Sequence, residues 1–165
     1  MIPPDTQLAT ETRRPGPPAE LRSSTSYLLK KLGFSLKERT LQAYESTGLS
    51  PYDHGVLALL DEDPCETQAM IADALGYDRS HLVGVLDDLE ARGLIERRRD
   101  PADRRRHLVR LTPSGKETVV RLRGVAKQID DAFFEALDPA ERAELTALLS
   151  RVAIHHDPRY GPPTP

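Results

Sequence analysis

Residues 66–112 decide the fold and read ETQAMIADALGYDRSHLVGVLDDLEARGLIERRRDPADRRRHLVRLT. Apolar side chains recur there at intervals of three and four, which places them on one face of a helix, at Leu82, Val85, Leu86 and Leu89. Asp78 is a good N-cap before this helix, and Gly93 stands where it ends. A shorter apolar pattern opens at Thr67 and closes at Gly76. The stretch therefore predicts a short helix, a tight turn and a longer helix.

A β-hairpin is predicted after the longer helix. Residues 94–98 read LIERR and residues 107–111 read HLVRL, with the polar turn DPAD at 100–103 between them. A helix-turn-helix followed by a basic hairpin is the order of a winged helix. In that arrangement a helix enters the major groove of DNA, and arginines on the hairpin reach the narrower minor groove.

The basic residues are concentrated in this region, although the whole chain is acidic. The 165 residues carry a formal net charge of −3, whereas residues 92–106 contain seven arginines and three acidic residues, a local charge of +4. Binding to phosphates depends on the local field rather than on the total charge. Because this basic window coincides with a complete helix-turn-helix pattern, DNA contact is favoured over a merely solvated hairpin.

Four more helices are predicted in the flanking sequence. Proline follows a Ser, Thr or Asp cap at three of their starts, which are Pro51, Pro113 and Pro139. The remaining helix runs from about Glu20 to Ser46, and the fifth helix reaches about Leu137. The fold class is therefore mainly α with a small β-hairpin wing: a winged helix-turn-helix with six helices.

The two ends of the chain are rich in proline and polar residues. They predict a disordered N-terminal arm at 1–18 and a disordered tail at 157–165. The long amphipathic helix after residue 112 and the helix that follows it leave more apolar surface than one subunit covers. We expect a dimerisation helix at 19–50, the DNA-binding domain at 51–112, and C-terminal dimerisation helices at 113–156.

Three segments of the chain resemble the multiple-antibiotic-resistance-regulator (MarR) family of bacterial transcription factors. Residues 100–115, DPADRRRHLVRLTPSG, are similar to the wing of that family; residues 82–97, LVGVLDDLEARGLIER, are similar to its recognition helix; and residues 48–60, GLSPYDHGVLALL, are similar to its second helix. The resemblance covers about residues 20–155. It implies a homodimer that places two recognition helices on double-stranded DNA with a pseudo-palindromic operator. It also implies a small phenolic or anionic effector that releases the DNA.

The resemblance assigns roles to individual residues. Arg105 would enter the minor groove, and Asp103 would organise the wing tip. Thr67 matches a helix-start position that contacts phosphate. The full set of predicted DNA-contacting residues is Thr67, Arg79, Ser80, His81, Val83, Gly84, Arg98, Arg104, Arg105 and Arg106.

The chain departs from the family pattern at two places. Many members have Thr-Arg where this chain has Val83 and Gly84, so base readout would pass to Arg79, Ser80 and His81, or to a thymine methyl contact by Val83. His54 stands where the family often has an aromatic residue near the effector. We interpret His54 as a candidate effector-binding or pH-sensing residue, with an ordinary helix histidine as the alternative.

Other function classes are weaker. The sequence has no phosphate-binding loop, nucleophile elbow or dinucleotide fingerprint, so an enzyme is not expected, and no cofactor or metal site is expected. The alternatives kept open are an effector-independent architectural DNA-binding protein and a redox-responsive regulator acting through Cys65. That cysteine has acidic neighbours that disfavour a thiolate. With one cysteine, no apolar span and no signal-peptide pattern, we expect a cytoplasmic protein without membrane contact.

Overall fold

The computed structural model describes residues 16–62, 66–100 and 107–161. The chain divides into two compact units, Met1–Ser35 and Leu36–Pro165. The second unit contains the helix-turn-helix, a small sheet and the two C-terminal helices.

The first predicted helix is divided into α1, Ala19–Arg22, and α2, Thr25–Glu45. The Ser23 hydroxyl donates to two carbonyls of the preceding turn, at 3.2 and 3.1 Å, and the Ser24 hydroxyl accepts from the backbone N–H of Tyr27 at 3.3 Å. Serine side chains compete in this way with helical hydrogen bonds. The prediction of one continuous first helix is therefore wrong at this point.

Helix α3, Pro51–Glu62, begins at the predicted cap. The Ser50 hydroxyl accepts from the backbone N–H of Asp53 at 3.2 Å, and the Asp53 carboxylate accepts from the backbone N–H and the hydroxyl of Ser50 at 2.6 and 2.8 Å. This reciprocal pair satisfies donors that a helix start leaves open, which explains why Asp53 tolerates an exposure of only 7%.

The predicted short and long helices are α4, Gln68–Leu75, and α5, Arg79–Ala91. Gly76 lies between them with φ +64°, the left-handed conformation that favours glycine. The apolar face of α5 is buried as its spacing predicts. Together with its neighbours it forms the core, whose fully buried members include Leu57, Leu60, Ile71, Leu82, Leu86, Leu89, Ile95, Val109, Val119 and Leu122.

The hairpin consists of β2, Ile95–Arg99, and β3, His107–Leu111, paired antiparallel. A third strand, β1, Glu66–Thr67, pairs antiparallel with the other edge of β3, so the sheet order is β1-β3-β2. Strand β1 is not predictable from the sequence, because a strand of two residues is too short to show alternation.

Helix α6, Pro113–Phe133, begins against the start of the hairpin. The Thr112 hydroxyl accepts from the backbone N–H of Gly115 at 3.0 Å and donates to the carbonyl of Gly93 at 2.7 Å. A Cβ atom on Gly115 would collide with the carbonyl oxygen of Leu94. The sequence Thr-Pro-Ser-Gly thus closes the wing and starts the helix at one point.

Helix α6 ends four residues before the predicted end near Leu137. The Nε atom of Arg142 donates to the carbonyls of Phe134 and Leu137, at 3.0 and 3.3 Å, and this supports a non-helical turn. Helix α7, Pro139–His156, follows with a capping box between Asp138 and Glu141. No helix among the described residues is long and apolar enough to cross a membrane.

The predicted disordered tail is wrong for residues 157–161. Pro158–Tyr160 form a 3-10 turn directly after α7, with the Asp157 side chain as its N-cap. Residues 162–165 and the predicted arm before residue 16 lie outside the described residues.

Candidate nucleic-acid interface

The first turns of α4 and α5 are capped by polar side chains. The Thr67 hydroxyl accepts from the backbone N–H of Met70 at 3.3 Å. The Asp78 carboxylate accepts from the backbone N–H groups of Ser80 and His81, at 2.9 and 3.2 Å, and from the Ser80 hydroxyl. The hydrogen bond from that hydroxyl is the main reason why the pKa of Asp78 is lowered. Thr67, predicted to contact phosphate, is therefore also the N-cap of α4, and Ser80, predicted to read bases, is bonded to the N-cap of α5.

The outer face of α5 is open to solvent. Arg79, Ser80, His81, Val83 and Gly84 are all exposed, and Val83 keeps 40% of its accessible surface. A Cβ atom on Gly84 would meet nothing within 4 Å. The residues predicted to face DNA therefore share one free surface, and Gly84 is not required there by packing.

His81 is positioned by two tyrosines that sequence analysis did not single out. Its ring lies edge-on to Tyr52 of α3 at a centroid distance of 4.7 Å, and 6.5 Å from Tyr77, which precedes the Asp78 cap. The two tyrosine rings are 5.1 Å apart. Gly55 on α3 leaves the space that the Tyr77 hydroxyl occupies, and this glycine is the sequence signal that could have indicated the contact.

Arg97 joins the wing to the recognition helix. Its Nε and Nη2 atoms donate to the Glu90 carboxylate at 2.9 and 2.5 Å, and Nη2 also donates to Asp87 at 2.7 Å. The Glu90 carboxylate additionally accepts from the backbone N–H of Arg97 at 3.1 Å. Hydrogen bonds from Arg97 lower the pKa of Glu90, and those to Glu90 raise the pKa of Arg97. Arg97 is therefore a structural residue, which the sequence count of basic residues did not separate from the others.

The remaining described arginines of the basic window differ in their partners. Arg92 pairs with Asp88 at 2.8 Å and donates to the carbonyl of Gly48 at 2.5 Å. Arg98, predicted to contact DNA, lies on β2 and pairs with Glu96 at 3.0 Å, yet 68% of its side chain stays exposed. Arg99 is exposed at the end of β2. Screened pairs such as Arg98–Glu96 exchange readily for phosphate.

The predicted wing tip, Asp103 with Arg104, Arg105 and Arg106, lies outside the described residues, and so does Cys65. Their roles remain predictions from the sequence. The structure does place the two strands that carry the tip, which end at Arg99 and begin at His107. Groups of three or more metal-ligating side chains are absent from the described part of the chain.

His54 lies on α3 and is partly buried. Its Nδ1 atom is 2.5 Å from the hydroxyl of Tyr44, a residue with only 3% of its surface exposed. Its Nε2 atom is buried and has no hydrogen-bond partner among the described residues. Burial lowers the pKa of His54, and the positive charge of Arg123 lowers it further. The imidazole is therefore neutral near pH 7, with one unsatisfied polar atom.

This geometry is that of a DNA-binding winged helix: an exposed first turn on α5, braced by α4 and followed by the two antiparallel strands of a hairpin. The family model described as "MarR family" matches residues 47–106, which contain the helix-turn-helix and most of the wing. A putative transcriptional regulatory protein for the hcr operon of Thauera aromatica is 33% identical over 130 residues, covering 74% of this chain and 78% of the relative.

Two solved structures extend the comparison. The transcriptional repressor CouR, bound to a 23-mer DNA duplex, is 35% identical with a TM-score of 0.76, covering 85% of this chain and 99% of that chain. BpsR of Bordetella bronchiseptica, whose DNA binding is regulated by 6-hydroxynicotinic acid, is 30% identical with a TM-score of 0.69. The match covers 78% of this chain and 97% of that chain. The chain belongs to the MarR family and is a DNA-binding transcriptional regulator of that family.

Proposed function

We propose that the protein is a homodimeric repressor that binds a pseudo-palindromic operator through α5 and the wing and is released by a small aromatic acid. The observation that carries the DNA-binding part is the exposed outer face of α5, where Arg79, His81 and Val83 are available to base edges. The similarity to a repressor bound to a DNA duplex supports the same mode of binding.

The proposed dimer rests on the surface of α7. None of its 18 residues is buried, although Leu148, Leu149 and Val152 are apolar and 50%, 41% and 53% exposed. A contiguous apolar face of this kind is unfavourable in water unless a partner covers it. A second copy of the chain, placed by two-fold symmetry, would also supply the second recognition helix that a palindrome requires.

The proposed effector rests on two features of the Leu36–Pro165 unit. If the Tyr44 hydroxyl donates to Nδ1 of His54, the proton of the neutral imidazole lies on Nε2, which is then a buried donor without an acceptor. A groove of about 400 Å³ between α2 and α6 is lined by the apolar Val125 and Ile129 and by the cationic Arg39. The lining of the groove suits an aromatic ring with a carboxylate, and the Nε2 atom of His54, which does not line the groove, is a separate candidate donor. BpsR responds to such an acid.

Selection of bound fragments from random and genomic DNA tests the DNA-binding proposal. We expect a two-fold motif whose half-site centres lie about 34–36 Å apart, and an affinity that falls steeply with salt. Binding to many sequences with similar affinity would instead support the architectural alternative.

Displacement of the selected operator tests the effector proposal. We expect 6-hydroxynicotinic acid or 4-hydroxycinnamic acid to release the DNA, and nicotinamide, which lacks the carboxylate, not to do so. The variants His54→Phe and Arg39→Ala should weaken release without weakening operator binding. If neither acid changes operator binding by the wild type or by the two variants, the effector is not an aromatic acid of this size.

A further inference from the structure

The segment after α7 fixes the position of one arginine. Asp157 ends α7, and its carboxylate accepts from the backbone N–H of Arg159 at 3.1 Å. The same carboxylate accepts from the Arg159 Nε atom, at 2.9 and 3.0 Å to its two oxygens, and from Nη2 at 2.5 Å. The hydrogen bonds from Arg159 lower the pKa of Asp157. The 3-10 turn and this fork together hold the guanidinium in one orientation.

The other side of the guanidinium contacts the helix-turn-helix. Its Nη1 atom donates to the carbonyl oxygen of Asp73 at 2.5 Å, a contact between residues 86 positions apart in the chain. Asp73 is in the last turn of α4, where carbonyls lack a partner within the helix and a cation is favoured. The guanidinium also lies against Gly76, since a Cβ atom there would be 3.4 Å from Nη2.

The same aspartate faces the recognition helix. While the Asp73 carbonyl accepts from Arg159, its carboxylate lies 3.8 Å from the guanidinium of Arg79, the first residue of α5. Asp73 therefore stands between the C-terminal segment and a residue proposed to contact DNA. Both side chains of the Arg79–Asp73 pair are largely exposed, so this contact is weak and responds to small shifts of the turn.

We propose that Arg159 is a positioning residue for the DNA interface: it caps α4 from the C-terminal segment and holds the turn from which α5 begins. The contact joins the 3-10 turn that follows α7 to the helix-turn-helix. A displacement of this turn then moves the first turn of the recognition helix, where Arg79 and His81 lie. This inference rests on the proposed function of α5. It adds a contact outside the hydrophobic core that positions the first turn of this helix.

The variants that test the proposal are Arg159→Ala, Arg159→Lys and Arg151→Ala in the full-length protein. Arg151 is the matched control, because it is an exposed arginine of α7 and its loss changes the net charge equally. Circular dichroism and sedimentation first establish that each variant is folded and has the wild-type assembly state. Operator affinity is then measured by fluorescence anisotropy. We expect Arg159→Ala to weaken binding about tenfold relative to Arg151→Ala, a size typical of a lost charged hydrogen bond. Arg159→Lys should restore only part of the lost affinity, because a lysine ammonium cannot bridge the Asp157 carboxylate and the Asp73 carbonyl as a planar guanidinium does.

Two further measurements separate positioning from a general loss of stability. Hydrogen exchange should quicken in Arg159→Ala at residues 73–81 but not in α6. In an Arg79→Ala background the effect of Arg159→Ala on affinity should shrink, because the two residues act through Asp73. Equal affinities of Arg159→Ala and Arg151→Ala would overturn the proposal. If the wild type selects no operator, the proposed function fails, and the exchange comparison alone decides whether Arg159 holds the turn.

Discussion

Arginines that are adjacent in the sequence have different structural roles. Arg97 has most of its hydrogen-bonding capacity satisfied by Glu90 and Asp87, whereas Arg98 and Arg99 beside it are exposed. A charge count over the basic window gives each of them equal weight. Arg97 therefore contributes less to the positive field available to phosphate than the charge count implies.

This difference predicts opposite effects of two arginine substitutions. Arg105→Ala should weaken operator binding by about 1–3 kcal/mol and leave the free energy of unfolding unchanged. Arg97→Ala should lower the free energy of unfolding by about 1–2 kcal/mol, because it leaves part of the Glu90 carboxylate without a partner. Anisotropy titrations and urea denaturation measure the two quantities. Unchanged operator affinity in Arg105→Ala would contradict the wing assignment.

His54 makes the stability of the fold depend on pH. Its pKa lies below the ordinary value of 6.5 in the folded chain, so unfolding takes up a proton as the pH falls through 6.5. The contribution of the neutral His54 imidazole to the free energy of unfolding is therefore complete above that pH and declines below it. His54→Gln should flatten the decline between about pH 7.5 and about pH 5.5 in urea denaturation.

The exposed His156→Gln at the end of α7 is the control for this experiment. It should keep the wild-type decline, since it leaves the contact between Tyr44 and His54 intact. An identical pH dependence in the wild type and His54→Gln would mean that the imidazole of His54 is not the group responsible.

Element boundaries were predictable where a single residue type has one structural use. Pro51, Pro113 and Pro139 begin helices as expected, and Gly76 ends α4 in the left-handed conformation. The break at Ser23 was not predictable, because serine is compatible with a helix and its hydroxyl acts only once the turn has formed. Contacts between distant segments, such as Arg159 with Asp73, leave no periodic signal in the sequence.

In the candidate site too, features with a local sequence signal were predictable, whereas contacts between separate elements were not. The exposed face of α5 was predictable, because its residues are the complement of a clear apolar stripe. The contact of Tyr52 and Tyr77 with His81 was not predictable, because it requires α3 and the turn to be packed together first. The resemblance to a family located the elements, and the contacts between elements came only from the structure.

The start of α6 packs tightly against the base of the wing. Gly115→Ala should lower the free energy of unfolding by about 1–3 kcal/mol, since its Cβ would collide with the Leu94 carbonyl at the base of the wing. Gly124→Ala in the same helix is the matched control, because a Cβ there meets nothing within 4 Å. It should raise stability by about 0.5–1 kcal/mol, as alanine does in a helix interior. Urea denaturation that ranks the two variants the other way would contradict the packing described for this junction.

Helix α7 has an apolar surface that the core formed by the described residues does not use. Helix α7 buries none of its residues, whereas α6 beside it in the chain buries Val119 and Leu122. A helix of 18 residues gains little from forming alone in water, so its stability depends on what covers its apolar face. If a second copy covers it, folding of α7 and assembly are one equilibrium, and the stability of the protein rises with its concentration.

Leu149→Glu tests this dependence. A carboxylate on the exposed apolar face of α7 should dissociate the dimer, because burying it in the interface carries a desolvation cost that no partner offsets. Sedimentation should then give a monomer whose core is still folded, and operator affinity should fall by more than tenfold, since two linked recognition helices bind far more tightly than one. Met70→Glu, which replaces an apolar residue of α4 that is 52% exposed, introduces the same charge outside the predicted dimerisation helices and should leave the dimer intact. A Leu149→Glu protein that sediments and binds the operator like the wild type would show that α7 is not the surface through which two copies associate.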